Sequence, residues 1–183
     1  MKALFLDRDG TLIPDKGYLH KPHQVELLPG VSAALKQALD AGYSLFVLTN
    51  QSGVGRGYYT LGDAEACNRR MEVLLHLKTP VFVEIGVAPE APEAPLHYRK
   101  PSPRFILEMS AKYGLDPRYC FMVGDRWSDI EAGLNAGIVS VGLESGADDS
   151  LREKATAFAN VHIFSDLPQF MDALMEGSSI LNG

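Results

Sequence analysis

The sequence predicts an α/β fold: a three-layer, Rossmann-like parallel sheet with helices on both faces and no large cap domain. Short apolar runs of strand type alternate with helical segments along the whole chain. The links between them are short, which favours right-handed βαβ crossovers and hence parallel strands. The polar clusters fall just after the strands, where open α/β sheets keep their ligands. At 183 residues, with 46% apolar and 22% charged residues, the chain has the size and balance of a single domain, 1–183, with a substantial core.

Each element follows from local pattern. Ala3–Leu6 is an apolar run that reads as a buried strand. Residues 29–40 place Val31, Ala34, Leu35, Ala38 and Leu39 at helical spacing, between Pro29-Gly30 and Ala41-Gly42. Ser44–Leu48 is a second strand, ending at Thr49-Asn50. A helix is expected over 60–77, with Thr60 and Asp63 forming a capping box. Val81–Ile85 reads as a third strand and the Pro-rich 88–95 as an extended loop. Ser102–Tyr113 reads as a helix with Pro103 in its first turn. Cys120–Val123 is a fourth strand, followed by a helix over Asp129–Ala136 that Gly137 stops. Ile138–Val141 and an edge strand at Val161–Phe164 complete the sheet, and Leu167–Met175 is the last helix.

Composition narrows the possibilities. A formal charge of -6 gives no electrostatic footprint for nucleic acid. No apolar stretch has transmembrane length and no signal-peptide core is present, so no membrane partner and a cytoplasmic location are expected. Cys67 and Cys120 are far apart and belong to no CxxC pair, so they read as small buried apolar residues. A monomer is expected.

The polar clusters suggest a chemistry. Asp7 and Asp9 are one residue apart at a strand end, so in extended backbone both face one site. Two carboxylates that close repel unless a cation or a proton intervenes. A strand ending in a solvated polar turn is the plain alternative. With the other clusters, Asp7 reads as a nucleophile able to take a phosphoryl group, and Asp9 as the acid/base. Thr49 offers a hydroxyl, and Lys100 a positive charge for the phosphoryl oxygens. Asp125 adds a carboxylate for a hard divalent ion, Mg²⁺. Asp129 reads either as a further metal contact or as a helix cap. Arg56, Arg99 and Arg126 could each grip a second phosphate bidentately.

These residues resemble the four motifs of the haloacid dehalogenase (HAD) superfamily phosphatases: Asp7-x-Asp9-Gly10-Thr11, Thr49, Lys100 and Gly124-Asp125-x-x-x-Asp129. The resemblance implies an aspartyl-phosphate at Asp7. It implies Mg²⁺ held by the Asp7 carboxylate, the Asp9 carbonyl and the Asp125 carboxylate. LDRDGTL, DKGY, LTNQSGVGRGYYT and RKPSP further resemble the heptose-bisphosphate and histidinol-phosphate phosphatase subgroup. That likeness implies a small phosphorylated metabolite as substrate, with a heptose bisphosphate ahead of histidinol phosphate. It also implies substrate contacts from Asp15, Lys16, Gly17, Tyr18, Thr49, Asn50, Gln51, Ser52, Arg99 and Arg126.

One departure stands out. Many members of that subgroup carry a Cys/His zinc cluster before the RKP segment. The corresponding stretch here, VEIGVAPEAPEAPLHYRKP, has no cysteine and one histidine, His97. Four tetrahedral ligands cannot be drawn from it, so no structural zinc is expected. The intervals 8–48 and 50–99 are filled by helices, strands and loops, which leaves no room for a large lid domain. An open site shielded by loops 15–23 and 88–98 is expected.

Overall fold

The computed structural model describes residues 1–144 and 150–177. Six strands form one parallel sheet: β1 Lys2–Leu6, β2 Tyr43–Asn50, β3 Glu84–Ala88, β4 Cys120–Gly124, β5 Val139–Leu143 and β6 Val161–Phe164, in the spatial order β3-β2-β1-β4-β5-β6. The order reverses beside β1, which makes its carboxyl end the switch point where such sheets bind ligands. The helices are α1 Val31–Asp40, α2 Ser52–Gly55, α3 Leu61–Leu75, α4 Arg104–Tyr113, α5 Trp127–Asn135, α6 Leu151–Ala155 and α7 Leu167–Met175.

Alternation along the strands builds two cores. Leu4, Leu6, Leu45, Val47, Phe121 and Val123 face a layer made by α1, α3 and α7. Ala3, Phe5, Phe46, Leu48 and Met122 face the opposite layer, where Phe105, Ile106 and Met109 of α4 and Ala132 of α5 pack. The central strands are buried on both faces, so they read as continuous apolar runs. Phe5 and Phe46 are register partners and stack with ring centroids 4.9 Å apart. Burying such a ring contributes roughly 2–3 kcal/mol.

Several boundaries differ from the sequence expectation. β3 begins at Glu84 rather than Val81. Val81 and Phe82 are buried, but their N–H groups go to the Glu72 carboxylate of α3 rather than to the sheet. Gly86 sits inside β3 because the Phe105 ring lies where a Cβ would be, 2.7 Å away. α5 begins at Trp127, two residues earlier than expected. The capping box at α3 forms as expected: Thr60 Oγ1 accepts from the Asp63 N–H, and the Asp63 carboxylate accepts from the Thr60 N–H. α2 and α6, of four and five residues, were not expected. Among the described residues, no helix is long and apolar enough to cross a membrane.

Candidate active site

The carboxyl ends of β1, β2 and β4 and the loop after β3 meet around one cleft of about 400 Å³. Asp7 continues the ladder of β1, its N–H donating to the Val123 carbonyl at 2.9 Å. The chain then turns back tightly, with the Leu12 N–H on the Arg8 carbonyl, and Leu12 and Ile13 return to the core. This turn presents Asp9 to the cleft wall. Gly10 makes the turn at φ 85°, and a Cβ there would lie 2.1 Å from Asp125 Oδ2. Gly10→Ala is therefore expected to strain the backbone by about 1–3 kcal/mol. It should also displace Asp125 and cut turnover by about 100-fold, read by paired melting and phosphate-release assays.

Lys100 is buried between two carboxylates, with Nζ 2.6 Å from Asp7 Oδ1 and 2.6 Å from Asp129 Oδ1. Its backbone is pinned by Asn50: the Lys100 N–H donates to Asn50 Oδ1 at 2.9 Å, and Asn50 Nδ2 donates back to the Lys100 carbonyl. Burial alone would push the Lys100 ammonium down. Asp129 and Asp7 outweigh it and hold it above the usual lysine range. Asp129 uses its other oxygen to accept the Arg126 N–H at 2.9 Å, at the start of α5. It thus clamps Lys100 and caps a helix at once. Gly124 lacks a Cβ where the Asp129 carboxylate passes, 2.2 Å from the position such an atom would take.

Asp125 is fully buried, and neither of its carboxylate oxygens has a hydrogen-bond partner. Burial, then repulsion from Asp7 and Asp129, pushes its carboxyl up to about 7. Asp7, Asp125 and Asp129 can each bring a carboxylate oxygen within 4.8 Å of the others. Three buried carboxylates facing one ammonium leave an excess of negative charge. All-oxygen donors and two orphaned carboxylate atoms suit a hard divalent cation. The residues present therefore fit Mg²⁺.

Asp9 is held by several donors. Arg8 reaches both of its oxygens, and Gln51 Nε2 donates to Oδ2 at 2.9 Å. Thr49 Oγ1 lies 3.4 Å from the same oxygen. Burial pushes the Asp9 carboxyl up, Arg8 opposes this, and Asp7 adds to it.

Asp15, Gly17, Tyr18, Asn50, Gln51, Ser52, Arg99 and Arg126 also line the cleft. Asp15 and Arg126 pair across the mouth at 2.6 Å. Three residues expected to contact substrate are not among the lining: Lys16, Arg56 and the fully buried Thr49. Lys16 turns to the Gln24 carbonyl and the Glu26 carboxylate, and Arg56 lies 3.8 Å from Glu93. Both side chains face partners outside the cleft. Tyr59 and Ser128 line it and were missed. Both lie within segments already singled out, GRGYYT and GDRWSD, and position within those segments was the available signal.

Fold and site together define an α/β phosphatase, with a nucleophile candidate, a cation and a metal-ready carboxylate set at the switch point. The HAD-hydrolase-like family model matches residues 97–170. The chain is 41% identical over 142 residues to the D-glycero-beta-D-manno-heptose-1,7-bisphosphate 7-phosphatase of Helicobacter pylori, covering 74% of this chain and 79% of that protein. It is 34% identical over 180 residues to the enzyme of the same name from Pasteurella multocida, covering 94% and 98%. The crystal structure of the D,D-heptose 1,7-bisphosphate phosphatase from B. bronchiseptica, complexed with magnesium and phosphate, superposes with a TM-score of 0.85. That match has 25% identity and covers 97% of this chain and 100% of the other. The chain belongs to the HAD-like hydrolase family, as a phosphoric monoester hydrolase.

Proposed function

We propose that this enzyme removes the 7-phosphate of D-glycero-D-manno-heptose 1,7-bisphosphate in a Mg²⁺-dependent reaction. The observation that carries the chemistry is the buried Asp7–Lys100–Asp129 arrangement beside an orphaned Asp125. The relatives named for this activity support the substrate. Arg99 and Arg126 on the cleft wall supply cations for the phosphate that is not cleaved.

Asp7 attacks phosphorus, and its oxygen–phosphorus bond forms as the bond to the sugar oxygen breaks. Asp9 gives its proton to the departing oxygen. Water then takes the phosphoryl group from Asp7 and gives a proton back to Asp9, releasing inorganic phosphate and restoring both aspartates. Lys100 and Thr49 hold the phosphoryl oxygens, and Lys100 already touches Asp7 before substrate arrives. The Asp7 and Asp125 carboxylates, with the Asp9 carbonyl, would hold Mg²⁺, which supplies positive charge against the phosphoryl oxygens when bound.

A phosphate-release panel tests the substrate. The α and β anomers of the heptose bisphosphate should outrun histidinol phosphate, and a preference for histidinol phosphate would overturn the assignment. The metal site has its own test. Saturating Mg²⁺ should raise the melting temperature of the wild type, by about 3 kcal/mol of stabilisation at 100 times the dissociation constant. Asp125→Ala should lose that response. An unchanged response would remove Asp125 from the metal site. We further propose a cytosolic monomer without structural zinc, and stoichiometric zinc by elemental analysis would contradict the last point.

A further inference from the structure

Arg8, the residue between the two motif aspartates, is fully buried and heads the largest fully buried side chains. A guanidinium stays charged at any pH the protein meets, so its burial is costly unless it is paired and hydrogen-bonded. Its side-chain hydrogen bonds go to two residues. Nε donates to Asp9 Oδ2 at 3.0 Å and Nη2 to Asp9 Oδ1 at 3.2 Å, a two-point grip on one carboxylate. Nη1 donates to Asn68 Oδ1 at 2.9 Å. Asn68 is a buried polar residue of α3. A second relay reaches the same carboxylate: the Tyr59 hydroxyl donates to Gln51 Oε1 at 2.7 Å, and Gln51 Nε2 donates to Asp9 Oδ2. Neither Arg8 nor Asn68 lines the cleft, so neither meets substrate.

We propose that Arg8, anchored by Asn68, is a positioning residue that fixes the direction of the Asp9 carboxylate toward the reacting oxygen. A bidentate guanidinium sets an orientation as well as a charge. Simple neutralisation of Asp9 would not need the fork anchored from behind by a buried side chain of α3. The proposal rests on Asp9 being the acid/base of the reaction. It goes beyond that role by naming what aims the group. Proton delivery depends on geometry, so loosening the anchor should cost the proton-dependent step and little else.

The leaving group separates this role from a merely structural one. The departing oxygen of a primary alkyl phosphate needs a proton, whereas that of p-nitrophenyl phosphate leaves without one. Single-turnover transfer to Asp7 would be measured by rapid quench with heptose 1,7-bisphosphate and with p-nitrophenyl phosphate. Arg8→Lys keeps the charge and loses the planar fork. Asn68→Ala keeps the Arg8–Asp9 pair and loses its anchor, and alanine suits a helix. Both variants should slow the alkyl phosphate about 10-fold and the aryl phosphate less than about 3-fold, with KM little changed. Asp9→Asn should show the same selectivity more strongly. Equal slowing of both substrates, or none, in both variants while Asp9→Asn stays selective overturns the positioning role alone. Loss of selectivity in Asp9→Asn overturns the acid/base role, and the proposal with it. Should Arg8→Lys fail to fold, Asn68→Ala decides.

Discussion

Asp7→Asn is expected to abolish turnover, by about a thousandfold or more, while the protein folds as well as the wild type. The substitution is nearly isosteric, so packing at the end of β1 is kept. What it removes is the charge and the nucleophilic oxygen that bonds to phosphorus. Stability should hold because two changes oppose each other. Lys100 loses one of its two carboxylate partners but retains Asp129 at 2.6 Å. Asp125 and Asp129, crowded by Asp7, lose a repelling neighbour. Phosphate release in Mg²⁺ and a thermal melt, run side by side, check both halves. Wild-type turnover in Asp7→Asn would remove the aspartyl-phosphate route altogether.

The contrast between Asp7 and its neighbours shows what the sequence could reveal. The central strands were readable because β1 and β4 are buried on both faces and carry unbroken apolar runs. The edge strand β3 was misplaced by three residues. Val81 and Phe82 are as apolar as a strand, but a carboxylate from α3 takes their N–H groups. The true strand carries a glycine that makes way for Phe105. Periodicity cannot see either long-range partner. The short α2 spans SGVG, whose two glycines read as loop, and it packs Gly53 under Tyr59 and Tyr18.

The site divides in the same way. Asp7, Asp9 and Lys100, singled out from the sequence by their residue type and their place after β1 and β3, are brought to one cleft. The residues that hold them were not legible in this way. Arg8 occupied the unspecified position of the motif, and its anchor Asn68 lies sixty residues away. Asn50 was expected at the substrate, and it lines the cleft, yet both ends of its amide pin the Lys100 backbone. Arg56 was singled out because arginine suits phosphate, but it lies outside the cleft lining, 3.8 Å from Glu93 of the loop after β3. Asp129 stood between two roles, metal contact and helix cap. The structure gives it the cap together with the Lys100 clamp, and also places its carboxylate in the cluster with Asp7 and Asp125.

Lys100→Met should lose both activity and stability, and a second substitution should separate the two losses. Lys100 Nζ is the ammonium that pairs with Asp7 and Asp129 in the buried carboxylate cluster. Methionine fills similar space but leaves Asp7 and Asp129 buried and uncompensated. Breaking a buried pair in this way costs about 3–5 kcal/mol, far more than the pair contributes over an apolar replacement. Adding Asp129→Asn removes one of the stranded charges, so the double variant should recover on the order of 1–2 kcal/mol through the coupling of the two sites. Turnover should not recover, because no cation then follows the charge onto the phosphoryl oxygens. Denaturant melts of the two single variants and the double variant close the cycle, and phosphate release gives the second axis. If activity returned with stability, Lys100 would be a structural counter-ion only. If neither single variant nor double differed in stability from wild type, the buried charge balance drawn around Asp7 would be wrong.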